Sequence, residues 1–240
     1  MSAPKKPRKG KVRPSGRRDH ATSPSGDETK ARILEVALGL FQKRGFDKTT
    51  MRDISAACEL SLGAAYYYFP SKEAIVFAYY EHTQEEHRRL TRAAYAKTTD
   101  LRERLGVAMH GHIGLISRDK KLLGALFKSV GDPDDALSVF SNDSAKLRAS
   151  AVAIFDEALE GQSLPEDLRP LLAQALWALH LALILYFIHD PSPKHAKTTA
   201  LIDGALDFGM ELLPFLGLPF AASARARLRR LLEDAGLHLE

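Results

Sequence analysis

The chain has 240 residues, 45% of them hydrophobic, with one cysteine and a formal charge of +4. A lone Cys58 excludes an internal disulfide and points to a reducing, cytoplasmic setting. The opening MSAPKKPRKGKVRPSGRR has no apolar run of the kind a secretory signal needs.

The charge is unevenly spread. Residues 1–26 carry eight basic side chains against one acid, a net +7 that leaves −3 for the rest of the chain. This Pro/Gly/Ser-rich segment has little apolar area to bury and is expected to be a disordered basic arm. It reads either as a solubilising tail or as an arm lying along DNA phosphates or in a minor groove.

Order is expected from Asp27. GDETKARILEVALGLFQKRGF places acids in a first helical turn, then Ile33, Leu34, Ala37, Leu38 and Phe41 at helical spacing, with Gly45 as a stop. Thr50 and Asp53 have the spacing of a capping box and open a short helix to about Cys58. After a turn at Glu59-Leu60, Ser61 caps a second short helix, 62–68. Pro70 ends it, Ser71 caps again, and a long helix runs from Lys72 to about Lys97. Further helices are expected over about 101–117, 120–130, 142–160, 166–189, 194–213 and 222–236, broken at Asp119, Gly131-Asp132-Pro133, Gly161 to Pro165, Pro191 to Pro193 and Pro214 to Pro219. No stretch alternates with period two, so the expected fold is all-α.

Residues 50–69, TMRDISAACELSLGAAYYYF, have the form of a helix-turn-helix, with Ile54, Ala57, Leu60, Ala65 and Phe69 as inward positions. Tyr66, Tyr67 and Tyr68 are consecutive on a helix and cannot share one core. The residues alone admit an ordinary helical hairpin with half-buried tyrosines or a DNA reader.

The run TKARILEVALGLFQKRGFDKTTMRDISAACELSLGAAYYYFPSKEAI resembles the N-terminal domain of the TetR-type (tetracycline-repressor-like) transcriptional regulators. The resemblance rests on Phe41, Gly45-Phe46, Thr49-Thr50, Ile54, Ser61, Gly63, Tyr66, Tyr68-Phe69 and Ser71-Lys72-Glu73, at matching spacing over residues 29–75. It implies a three-helix DNA-binding domain over 27–73, a larger helical ligand-binding and dimerisation domain over 74–220, and a C-terminal helix over 221–240. It also implies that the helix 62–68 enters a major groove. Tyr66, Tyr68 and Lys72 match backbone-contacting positions, and Tyr67 one near bases or backbone. Leu62 and Ala64 are suited to thymine methyls. Gly63 lets the helix approach closely, and Thr50 and Ser61, at helix N-termini, are suited to phosphates. The chain departs from the pattern at Glu59, where glycine is usual and a left-handed backbone would cost about 1 kcal/mol. It departs also at Leu62, Ala64 and Ala65.

Leu171 to Ile188 is apolar nearly all round. It reads as a membrane span, a buried central helix or a subunit interface. The resemblance implies a homodimer through helices of about 166–189 and 194–213, and double-stranded DNA as partner, with no membrane. It also implies a small-molecule effector in a pocket of the C-terminal domain. Candidate pocket residues are His110, His112, Phe127, Phe140, Trp177, His180 and Tyr186, each with plain core as the alternative. Apolar composition favours an apolar or aromatic effector.

No zinc spacing, nucleophile elbow, phosphate loop or HExxH occurs, so no cofactor, metal or enzymatic activity is expected. His110 and His112 diverge on a helix, and Cys58 reads as small apolar filler. The reading that follows is a ligand-responsive dimeric repressor on a palindromic operator. The alternative is a helical protein-interaction module of the same fold without sequence-specific DNA binding.

Overall fold

A computed structural model describes residues 25–131 and 135–234. Most of the basic arm, and the last six residues of the C-terminal segment, lie outside the described residues. Those described form ten α-helices and three short 3-10 turns.

The N-terminal helices are α1 (Gly26–Arg44), α2 (Met51–Ala57) and α3 (Leu62–Tyr68). Each start is fixed by a short polar side chain. Ser25 accepts from the Glu28 amide and Thr50 from the Asp53 amide, both in reciprocal capping boxes, and Ser61 accepts from the Ala64 amide. Gly45, at φ +88°, ends α1 in a conformation that a side chain would oppose. Glu59 turns the chain between α2 and α3 at φ +55°. The left-handed backbone anticipated there is therefore carried by a non-glycine residue.

Ile33, Ala37, Phe41, Phe46, Ile54, Cys58, Ala65 and Phe69 close the first core. Ala57, expected inward, is exposed; Met51, Ser55 and Cys58 take the buried face of α2 instead. In a helix of only seven residues, a shift of one position in the assigned face rotates it by about 100°.

Then follow α4 (Lys72–Tyr95), α5 (Leu101–Ile116), α6 (Lys120–Gly131), α7 (Ala145–Ala158), α8 (Leu168–His189), α9 (Ala196–Leu216) and α10 (Ala222–Asp234). Helix α4, capped by Ser71, is about 36 Å long. It buries Ile75, Val76 and Tyr79 in the first core and Tyr95 in a second, built from α5, α7, α8 and α9 around Met109, Ile154, Phe155, Trp177 and Phe187. Helix α6 also serves both. Leu122 and Leu126 complete the first core and Leu123 packs against each.

The break expected over Pro214 to Pro219 falls in the later part of that range, and α9 continues through Pro214 to Leu216. The proline sits in the final turns, where its missing N–H costs one hydrogen bond, and the Gly217 amide still reaches the Leu213 carbonyl at 3.3 Å. Helix α8 is long and apolar enough to cross a membrane, yet nearly half of its most apolar window is buried inside the protein. It is the central helix of the second core. Leu185, Tyr186, Leu201, Phe208, Leu212 and Phe215 leave an apolar stripe exposed along α8 and α9.

Candidate functional site

Two features carry chemistry: the outer face of α3 and a cavity beneath α4. On α3, Ala65 is buried and the side chains around it diverge. Tyr67 is 83% exposed and Tyr66 47%, while Tyr68 is half-buried with its ring against the edge of Tyr67 at 5.2 Å. Gly63 and Ser61 are also exposed, and a Cβ at Gly63 would meet nothing. Leu62 and Ala64 are half-buried, with Leu62 partly packed on the core. The outward face of α3 is therefore two phenols, a glycine and the rims of two small apolar residues.

Two residues expected on phosphates have partners within the protein. The Thr50 hydroxyl donates to the Asp53 carboxylate at 2.5 Å and accepts from its amide. The bond from the hydroxyl, and a second from the Thr50 amide, hold the Asp53 carboxyl below its ordinary range. The start of α2 thus already carries an anion, which competes with a phosphate there. The Lys72 ammonium donates to the Phe46 carbonyl at 3.0 Å and lies over the Phe46 ring. It retains two protons for another acceptor. Lys48 and Arg52 are exposed beside them and make no ion pair among the described residues.

The cavity has a volume of about 720 Å³ and mainly apolar walls from α4, α5, α6, α7, α8 and the loop before α7. Phe127, Phe140 and Trp177 line it, with Phe140 edge-on to Trp177 at 6.4 Å. His110 and His180 do not. His110 turns to α9, where its Nε2 is 2.9 Å from Asp203, in a cluster with Arg102 and Asp207. His180 lies behind the wall, 4% exposed. Tyr186 is on the outer surface.

His112 lines the cavity and has its Nδ1 2.7 Å from His180 Nε2. His87 stacks on His112 at 4.5 Å between ring centroids and donates from Nε2 to the Ala108 carbonyl. Burial pushes the His87 imidazole down to about 4. It lowers His180 to about 3, with a further contribution from His87, and holds His112 well below its ordinary value. All three rings are neutral at pH 7. Among the described residues no group of three or more His, Cys, Asp or Glu is arranged to hold a metal ion.

Most other polar lining groups already have partners. Tyr79 donates to Asp119, Thr83 to the Tyr79 carbonyl, Ser144 to the Ser138 carbonyl and Arg148 to the Val139 carbonyl. Burial, then the bond to Asp119, raises the Tyr79 phenol far above its usual range. Sequence reasoning missed this lining and the histidine trio. One signal was available: Tyr80, Gln84 and His87 recur at helical spacing on one face of α4.

Comparison with known proteins gives two family matches. A profile described as "Bacterial regulatory proteins, tetR family" covers residues 33–79, and "Tetracyclin repressor-like, C-terminal domain" covers 104–218. The HTH-type transcriptional regulator YuxN of Bacillus subtilis is 42% identical over 60 residues, 23% of this chain and 21% of that protein. The chain thus spans well under two thirds of the length of the first curated relatives it matches. The HTH-type transcriptional activator FasR of Mycolicibacterium smegmatis is 24% identical over 84% of this chain and 90% of its own. Among solved structures, Thermus thermophilus FadR, a TetR-family repressor in complex with lauroyl-CoA, superposes with a TM-score of 0.53. It is 24% identical and covers 77% of this chain and 92% of that one, a likeness of fold.

Proposed function

The chain belongs to the TetR-type transcriptional regulators, and on that premise we propose that it is a dimeric repressor released from a palindromic operator by a small, largely apolar effector. In this reading α3 enters the major groove. Tyr66 and Tyr68 hold phosphates, Tyr67 and the rims of Leu62 and Ala64 meet base edges, and Gly63 allows close approach. Ser61 keeps a hydroxyl proton for a phosphate, and Lys72 gives one of its remaining protons. Thr50 acts as a helix cap first and as a phosphate ligand at most secondarily.

Two readers joined through the apolar stripe of α8 and α9 would sit about one DNA turn, or about 34 Å, apart. A half-site read by seven residues is short, so the pair supplies the specificity.

The observation that carries the regulatory part is the double duty of α6. Leu123 and Phe127 line the cavity, while Leu122 and Leu126 lie in the core that supports α3. An effector that displaces the cavity face of α6 must also move its other face, because a packed helix shifts as a body. Repression is relieved if the effector prefers the reader spacing that does not fit DNA. The T. thermophilus relative holds lauroyl-CoA, and an acyl chain suits the apolar walls found here.

The test is a titration against genomic DNA fragments at two salt concentrations. A palindromic fragment should be selected, with affinity falling steeply as salt rises. Equal affinity for every fragment would instead support a helical interaction module of the same fold. The arm is proposed to add phosphate contacts, so removing residues 1–24 should flatten the salt dependence. An unchanged slope would leave it a tail.

A further inference from the structure

We infer that His112, locked in place by His180, is the specificity-determining residue of the cavity, and that the effector carries a neutral carbonyl acceptor on an otherwise apolar body. This rests on the reading of the cavity as the effector site and names the chemistry that site selects.

The argument starts from an orphaned atom. His180 Nδ1 is buried with no hydrogen-bond partner. A neutral imidazole has one N–H and one lone pair. In the 2.7 Å contact between His112 Nδ1 and His180 Nε2, one ring donates and the other accepts. If His112 donated, His180 would carry its proton on Nδ1, and a buried N–H would have no acceptor. If His180 donates from Nε2, the orphan is a bare lone pair. Buried N–H groups without acceptors are rarer than under-used acceptors, so the second arrangement is assigned. His112 then carries its proton on Nε2, the ring atom opposite the His180 contact, which makes no hydrogen bond among the described residues.

The cavity therefore holds an N–H donor of fixed direction. The His180 bond sets its tilt and the His87 ring, stacked within 12° of parallel, sets its plane. Tyr80 and Gln84 line the same cavity, but a phenol and an amide each donate and accept and turn on rotatable bonds, so they discriminate little. A preorganised donor in an apolar enclosure favours an acceptor placed opposite it, since no ordering cost remains to be met. The neutral ring itself supplies no counter-charge for a carboxylate, and the guanidinium of the lining Arg148 is turned to the Val139 and Ser141 carbonyls of the loop before α7. A ketone, ester or thioester carbonyl meets the requirement.

The chain has one tryptophan, and Trp177 lines the cavity, so its emission reports occupancy. The probes are 2-decanone and 2-methyl-1-decene, which differ only by C=O against C=CH2. Each is titrated into wild type, His112→Phe and His112→Gln. The affinity ratio, ketone over alkene, should fall about two- to tenfold in His112→Phe and be largely kept in His112→Gln, which retains an N–H. Should His112→Phe fail to fold, wild type labelled with 15N-histidine answers the same question. The His112 Nε2–H resonance should move downfield with the ketone and stay with the alkene. An unchanged ratio in His112→Phe, or a resonance indifferent to the ketone, overturns the assignment while leaving the cavity as effector site. No response of Trp177 to either probe overturns both readings.

Discussion

Tyr67 is the most exposed side chain of α3 and Tyr66 stands beside it, so each can be removed with little loss of packing. Tyr66→Ala should weaken binding to every DNA fragment alike, by about fivefold for one neutral hydrogen bond. Tyr67→Ala should change which bases are preferred. Filter binding against a randomised operator library separates the two outcomes. The buried imidazoles give a second prediction. His87 and His180 bind protons more weakly folded than unfolded, so the unfolded chain protonates first as pH falls through about 6.5. Their contribution to stability is complete above that value. It declines as pH falls toward the folded values of about 4 and about 3. At pH 5 the loss through His87 is on the order of 2 kcal/mol. Urea midpoints at pH 7.5 and 5 should show it, and a flat profile would mean that the ring takes up its proton alike in the folded and the unfolded chain.

At the scale of elements, the turn between α2 and α3 stores strain at Glu59. Glu59→Gly removes the steric cost but adds backbone entropy to the unfolded state, for a net gain of up to about 1 kcal/mol. Glu59→Val should lose more than that, because a β-branched residue tolerates positive φ poorly. Thermal denaturation of the two variants decides it. Arg104 is a tie of another kind. Buried on α5, it donates to the carbonyls of Tyr95, Thr98, Ala158 and Glu160, and so fastens the ends of α4 and α7. Arg104→Leu strands those carbonyls and should cost about 3 kcal/mol or more in chemical denaturation. Helix starts were legible because a cap is a pattern of four residues, as at Ser61, Ser71 and the Thr50–Asp53 box. The end of α9 was not, since a proline near a helix terminus is tolerated when the following turn closes without it. The partner of Lys72 was equally hidden, because Phe46 is 26 residues away.

Across the whole molecule, Leu201, Phe208, Leu212 and Phe215 on α9, with Leu185 and Tyr186 on α8, are large apolar side chains left exposed, and a run of such side chains marks an interaction surface. Phe208→Glu should halve the mass seen by analytical ultracentrifugation and abolish operator binding, while the helical signal is retained. A variant that still sediments as a dimer would move the interface elsewhere. The candidate cavity shows where linear reading stops. Phe127, Phe140 and Trp177 were nameable as large aromatics in an apolar half. The pairing of His112 with His180, 68 residues apart on two helices, depends on how α5 and α8 are rotated, which no local pattern encodes.

The sharing of α6 also bears on the construction of chimeric sensors. A seam cut after residue 73 would strip Leu122, Leu126 and Leu137 from the N-terminal core and leave holes in it where α6 packs on α1. A hybrid that responds to a foreign inducer should therefore carry these three leucines with the transplanted reader, grafted onto the recipient's own scaffold.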